Sequence, residues 1–104
     1  MTRHRLEKSF QASVVELARL LGWRVFYVTD SRGSPPGWPD LTLGRGGVLL
    51  FRELKAEKGR LTLEQQEWRD VLTAAGMDWQ VWRPSDWPRI EATLRGQLDL
   101  GGAA

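Results

Sequence analysis

The chain has 104 residues, a net charge of +2, no cysteine and a single histidine, His4. Those numbers exclude disulfides, thiolate chemistry and any His/Cys metal cluster, so a bound metal has to be held by oxygen. The length suits one domain around one hydrophobic core, and no apolar run approaches the roughly 20 residues of a membrane span, so the expectation is a soluble, cytoplasmic protein.

Phe10, Val14, Leu17 and Leu21 recur at helical spacing, and Gly22 supplies a stop, so a first amphipathic helix is predicted from Leu6 to Leu21. Trp23 to Val28 is β-branched and aromatic, a strand signal, and it runs into a Gly- and Pro-rich loop up to Gly37. Asp40–Leu43 and Val48–Ala56 read as two further strands joined by Gly44-Arg45-Gly46-Gly47, short enough for an antiparallel hairpin. Thr62 with Gln65 three positions on is a capping-box signature, and Trp68, Val71, Leu72 and Ala75 form the apolar face of the helix that follows. Trp79–Arg83 reads as a fourth strand, and Ser85 as the cap of a last helix through Arg95 with Pro88 in its first turn. Residues 1–95 are thus expected to form one α/β domain of order α-β-β-β-α-β-α, a mixed central sheet flanked by helices, with a disordered tail over 96–104.

The apolar run Val48-Leu49-Leu50-Phe51 continues directly into Arg52-Glu53-Leu54-Lys55. Side chains alternate along a strand, so Glu53 and Lys55 point to one face and Leu54 to the other. A hairpin of this length brings Asp40, at the start of the preceding strand, toward Glu53. One reading is an exposed strand end with solvated charges, worth well under about 1 kcal/mol. The other is a site, because clustered charge in a half-buried sheet costs free energy unless something binds it. Two carboxylates with the Leu54 carbonyl between them suit Mg2+ or Mn2+, hard cations that keep several waters and accept phosphate oxygens. In a chain with twelve Arg and three Lys, Lys55 supplies a compact point charge able to hold or deprotonate a water.

The motifs "PD" at Pro39-Asp40 and "ELK" at Glu53-Leu54-Lys55 resemble the PD-(D/E)xK nuclease signature, and the element order is similar to the restriction-endonuclease-like core of that superfamily. More narrowly, "GWPDLTL", "FRELK" and "GRLTLEQQEWRDVLTAAG" resemble the virus-type replication-repair nuclease (VRR-NUC) domain standing alone, over about residues 5 to 95. The resemblance implies a metal-dependent DNA endonuclease that hydrolyses phosphodiester bonds, structure-selective in the manner of a Holliday junction resolvase. It implies branched DNA as substrate, action as a homodimer, and no small-molecule cofactor. The alternatives are a nicking or restriction-like nuclease with little structural preference, or a non-catalytic nucleic-acid-binding module.

The resemblance also brings a Glu from the first helix into the site, coordinating the metal directly or through water. Glu7 lies roughly 50° from the centre of the apolar stripe and Glu16 roughly 130° away, so Glu7 is assigned; a solvated first-turn Glu is the other reading. Gln65 matches a catalytic-site Gln of the family, although a helix cap explains it equally well. The expected catalytic set is therefore Glu7, Asp40, Glu53, Lys55 and Gln65. Arg3, Arg5, Lys8, Arg32, Lys58 and Arg60 are the cations expected to track a nucleic-acid backbone, with Trp38 on the loop before Asp40 touching substrate or a partner. Trp23, Trp68, Trp79 and Trp82 are expected in the core, and Trp38 or Trp87 in a dimer patch.

Overall fold

The structure is a computed structural model that describes residues 3–28, 33 and 35–97, and of residues 3–7 the backbone alone. Its elements are α1 (Arg3–Leu20), β1 (Arg24–Tyr27), β2 (Leu41–Arg45), β3 (Val48–Leu54), α2 (Leu63–Ala74), β4 (Asp78–Trp82), a 3-10 turn over Pro84–Asp86, and α3 (Trp87–Leu94). The sheet order is β1-β2-β3-β4, with β1, β2 and β3 antiparallel in turn and β4 parallel to β3. This is the expected mixed sheet flanked by helices; α2 makes the crossover that a parallel pair requires.

Several element boundaries differ from the sequence reading. The helix α1 begins at Arg3 rather than Leu6. The hairpin turn is two residues, not four: Arg45 pairs with Val48, and Gly46 and Gly47 both take positive φ (56° and 84°). Such a turn matches the right-handed twist of its strands and is open to Gly at both positions. The strand β3 stops at Leu54, where a turn over 56–59 closed by Gly59 N–H to Ala56 O takes over. Ser85 does not cap the last helix, because its N–H and hydroxyl both bond the Glu57 carboxylate; Asp86 Oδ2 instead accepts from Arg83 N–H at 2.8 Å.

The core lies on the face of the sheet covered by α1 and α3. Leu41 and Leu43 of β2 and Leu50 and Leu54 of β3 pack there with Phe10, Val14, Val15, Ala18, Ile90 and Leu94. Each fully buried aliphatic side chain contributes about 1.5–3 kcal/mol of transfer free energy. Trp23 and Trp82 belong to this core, and Trp23 Nε1 donates to Leu94 O at 2.8 Å. Trp68 and Trp79 are only half-buried, which corrects their expected place in the core. Trp87 packs against the core from its edge, so its ring is largely committed within the chain.

The opposite face carries α2. There Trp38 stands edge-on to Phe51 and Trp68, with ring centroids 5.9 and 4.9 Å apart. That cluster fixes the loop leading into Asp40. Gly37 seals the same loop: its φ is +99°, and a Cβ there would lie 2.6 Å from the Glu64 carbonyl carbon and oxygen. Gly37→Ala would combine a left-handed strain with a backbone clash, at a cost of about 2–4 kcal/mol. Chemical denaturation of the variant is the measurement; a midpoint equal to the parent's would show that the loop does not need this approach.

Candidate active site

The charges Arg52, Glu53 and Lys55, at and just past the end of β3, are sorted by alternation. Arg52 points into the α1/α3 face, where it is 1% exposed and bonds Asp78 Oδ1 at 3.1 Å and Asp78 O at 2.7 Å. Burial pulls this guanidinium below its ordinary pKa, and the Asp78 carboxylate opposes that shift. A pair buried this way is structural, and breaking it would leave an uncompensated charge. The sequence reading did not single out Arg52; Asp78, 26 residues on, becomes its partner only through the crossover.

Glu53 and Lys55 share the α2 face. The register pairs Leu41 with Arg52, so one step further Asp40 stands opposite Glu53. Like charges directly opposite each other destabilise a sheet, and Glu53 is 3% exposed. Burial, and then the Asp40 carboxylate, push the Glu53 carboxyl up to about 8, with Lys55 opposing and a side-chain hydrogen bond to Asp40 adding to the rise. Burial and the neighbouring carboxylate both disfavour the ionised form of Glu53. Lys55 Nζ lies 3.7 Å from Glu53 Oε2.

Backbone and helix hold these groups in place. Leu54 N–H donates to Asp40 Oδ2 at 2.8 Å, while Lys55 N–H turns the other way to Trp82 O at 3.0 Å. A strand residue's N–H and C=O share one edge, so the Leu54 carbonyl also faces the Asp40 side. Gln65 caps the helix and also reaches Glu53. Its Oε1 accepts from Thr62 N–H at 2.9 Å, completing the capping box with Gln65 N–H to Thr62 Oγ1, and its Nε2 donates to Glu53 Oε2 at 2.9 Å. Because the cap consumes the amide oxygen, the amino group must face Glu53.

This double use separates two variants. Thr62→Ala should cost about 1 kcal/mol of stability through the lost cap, with little change at Glu53. Gln65→Glu keeps the cap's acceptor but sets a third carboxylate against Glu53, and should lower metal-dependent activity about 10- to 100-fold, as loss of a ligand-orienting partner does. Equal activity losses in the two variants would reduce Gln65 to a cap.

The donors suit a hard divalent cation. Asp40, Glu53 and the Leu54 carbonyl are all oxygen, and a buried carboxyl raised to about 8 is one that a cation would ionise. Among the described residues no group of three His, Cys, Asp or Glu could hold a metal by itself. Mg2+ commonly takes one or two carboxylates and completes its shell with water and phosphate oxygens.

The remaining expected residues are distributed as follows. Arg3, Arg5 and Glu7 belong to α1 by backbone, but their side chains lie outside the described residues, as does all of Arg32 and the tail from 98 on. The helix α1 does approach the site: a cavity of about 580 Å³ is lined by Ser9, Phe10 and Ser13 together with Lys55, Lys58 and Pro84. Glu16 is exposed, beside a separate groove with Arg19 and Tyr27. Lys8, Lys58 and Arg60 are exposed, whereas Trp38 is half-buried in its ring cluster.

Fold and site together describe an α/β protein with a paired-carboxylate and lysine cluster at the end of the second and third strands of a mixed sheet. No protein-family model and no curated protein sequence matches the chain. Among solved structures it is similar to Hjc of Archaeoglobus fulgidus, described as a Holliday junction resolvase from an archaeal hyperthermophile, at 25% identity and a TM-score of 0.49, covering 77% of this chain and 67% of that one. Among the described residues no helix is long and apolar enough to cross a membrane.

Proposed function

We propose that this protein is a divalent-metal-dependent DNA endonuclease that hydrolyses phosphodiester bonds in branched DNA and works as a homodimer. The observation that carries the reading is the buried Glu53 carboxyl set across the strands from the half-buried Asp40, with Lys55 3.7 Å from Glu53. A folded chain does not gain stability from that arrangement; a cation and a phosphate would. Asp40, Glu53 and the Leu54 carbonyl would hold Mg2+ or Mn2+, which when bound supplies Lewis-acid polarisation of a phosphate oxygen. Lys55 places its ammonium beside the same point, where it orients the attacking water and offsets negative charge developing on the phosphoryl oxygens. Gln65 fixes the Glu53 carboxylate, and Leu54 N–H fixes that of Asp40. Lys8, Lys58 and Arg60, with Arg3, Arg5 and Arg32, supply cations for the DNA backbone, and Glu7 a further carboxylate.

The preference for branched DNA follows the sequence resemblance and the two-fold symmetry of a four-way junction, which two equal sites would match. Trp38 and Trp87 are half-buried and keep part of their rings for a partner, and Phe26 and Leu49 add apolar surface: they are 61% and 48% exposed, on the sheet face that carries α2. The test is incubation with four-way junction, flap, duplex and single-stranded DNA in Mg2+, Mn2+ or EDTA, alongside light scattering. Metal-dependent paired nicks in the junction by a dimeric particle are expected. A strictly monomeric mass, even on junction DNA, would favour a simple nicking nuclease, and no cleavage under any condition would leave a binding module.

A further inference from the structure

Lys55 is the first residue beyond β3, so its side chain is only as well placed as the turn that follows it. That turn is held from outside. Arg83, the first residue beyond β4, sends Nη1 to three carbonyls of the turn: Ala56 O at 2.6 Å, Gly59 O at 2.8 Å and Glu57 O at 3.1 Å. The turn returns the contact through Glu57, whose carboxylate accepts from Ser85 N–H and Oγ. Its far end lies against the lysine: a Cβ built on Gly59 would sit 3.5 Å from Lys55 Cδ. Lys55 N–H is itself tied to Trp82 O, the residue before Arg83.

We propose that Arg83 is a positioning residue for Lys55: by gathering the Ala56, Glu57 and Gly59 carbonyls it folds the turn over the lysine stem and sets the ammonium beside Glu53. The role of that ammonium in attack rests on the nuclease reading above; its placement by Arg83 does not. Gly59 N–H reaches Ala56 O alone, so the Glu57 and Gly59 oxygens take their hydrogen bonds from the charged Nη1, a stronger donor than a neutral amide. A neutral side chain at 83 would leave the Glu57 and Gly59 oxygens to water, the turn would be held by its Gly59–Ala56 bond and Glu57 alone, and the lysine would lose its fixed side wall. Misplacement of a reacting group by about 1 Å is enough to lower a rate substantially.

The experiment compares Arg83→Met and Arg83→Lys with the parent. In the metal-free protein the 13Cε resonance of Lys55 is followed, assigned among the three lysines by substitution of Lys8 and Lys58. With Mg2+ and four-way junction DNA, kcat and KM are measured separately. Arg83→Met is expected to move the Lys55 resonance to that of exposed Lys58 and to lower kcat about 10- to 100-fold with KM within about twofold. Arg83→Lys, whose ammonium offers three donors to the same three oxygens, is expected to restore both readouts. Should Arg83→Met not fold, Glu57→Ala releases the same turn from Ser85 and carries the same two expectations at about threefold in kcat. An unmoved Lys55 resonance in a folded variant overturns the proposal, even if the melting temperature falls. If the parent cleaves no DNA, the nuclease reading fails and the resonance alone decides the placement by Arg83.

Discussion

Glu53→Gln is expected to remove metal-dependent cleavage, lowering it about 1,000-fold or more, the several kcal/mol that a bound cation contributes to a phosphoryl transition state. The substitution keeps the shape of the side chain and its hydrogen bond from Gln65 Nε2, and it removes the charge that a cation needs. Asp40→Asn should do the same, because it deletes the opposing carboxylate while leaving an oxygen for Leu54 N–H. Both variants should fold. Glu53→Gln should also be more stable than the parent above neutral pH without metal, since an amide has no buried charge to carry. Single-turnover cleavage and thermal melts measured on the same preparations separate the two effects. Near-parental cleavage by either variant would sink the metal-site assignment.

The second large effect is on stability and pH. With EDTA present, the Glu53 carboxyl is raised to about 8 in the folded chain by burial and by Asp40, against an ordinary value near 4.3 when unfolded. The folded state therefore binds the extra proton between those values, and stability must fall as pH rises through that window. The full contribution is present below the unfolded value and is lost as pH passes about 8, at a slope on the order of 1 kcal/mol per pH unit. Mg2+ should reverse the trend, because the cation binds the ionised form and releases the proton. The stabilisation by Mg2+, read as the difference in melting temperature with and without it, should thus grow from pH 5.5 to 8.5 (about 3 units). A flat profile in EDTA, or a metal increment independent of pH, would mean that Glu53 ionises without cost and is no ligand. Glu53→Gln should flatten the profile by removing the group.

What the sequence determined by itself were properties carried by local rules. The hairpin, the capping box at Thr62 and Gln65, and the mixed sheet with its helices follow from period, turn residues and caps. The alternation that puts Glu53 and Lys55 on one face follows from the strand repeat, and the hairpin brings Asp40 toward them. The partnership of Asp40 with Glu53 was legible because only a short turn separates their strands, so the register was narrowly bounded. Boundaries such as the start of α1 and the two-residue turn at Gly46–Gly47 were less legible, since caps and turns are decided by one or two residues among several that qualify.

Only the tertiary structure decided how groups distant in sequence meet. Arg52 resembled its charged neighbours until the parallel strand β4 delivered Asp78 to it. Gln65 could be read as a cap or as a site residue; packing of α2 over β3 lets it cap the helix and bond Glu53 at once, because the two ends of one amide reach different partners. Trp38 reads from the sequence only as a loop residue; the fold supplies Phe51 and Trp68 as edges for its ring, which is half-buried between them. Arg83 had no signal at all in the sequence. Its three carbonyl partners are backbone atoms, which carry no residue identity, and they converge only when the ends of β3 and β4 lie side by side.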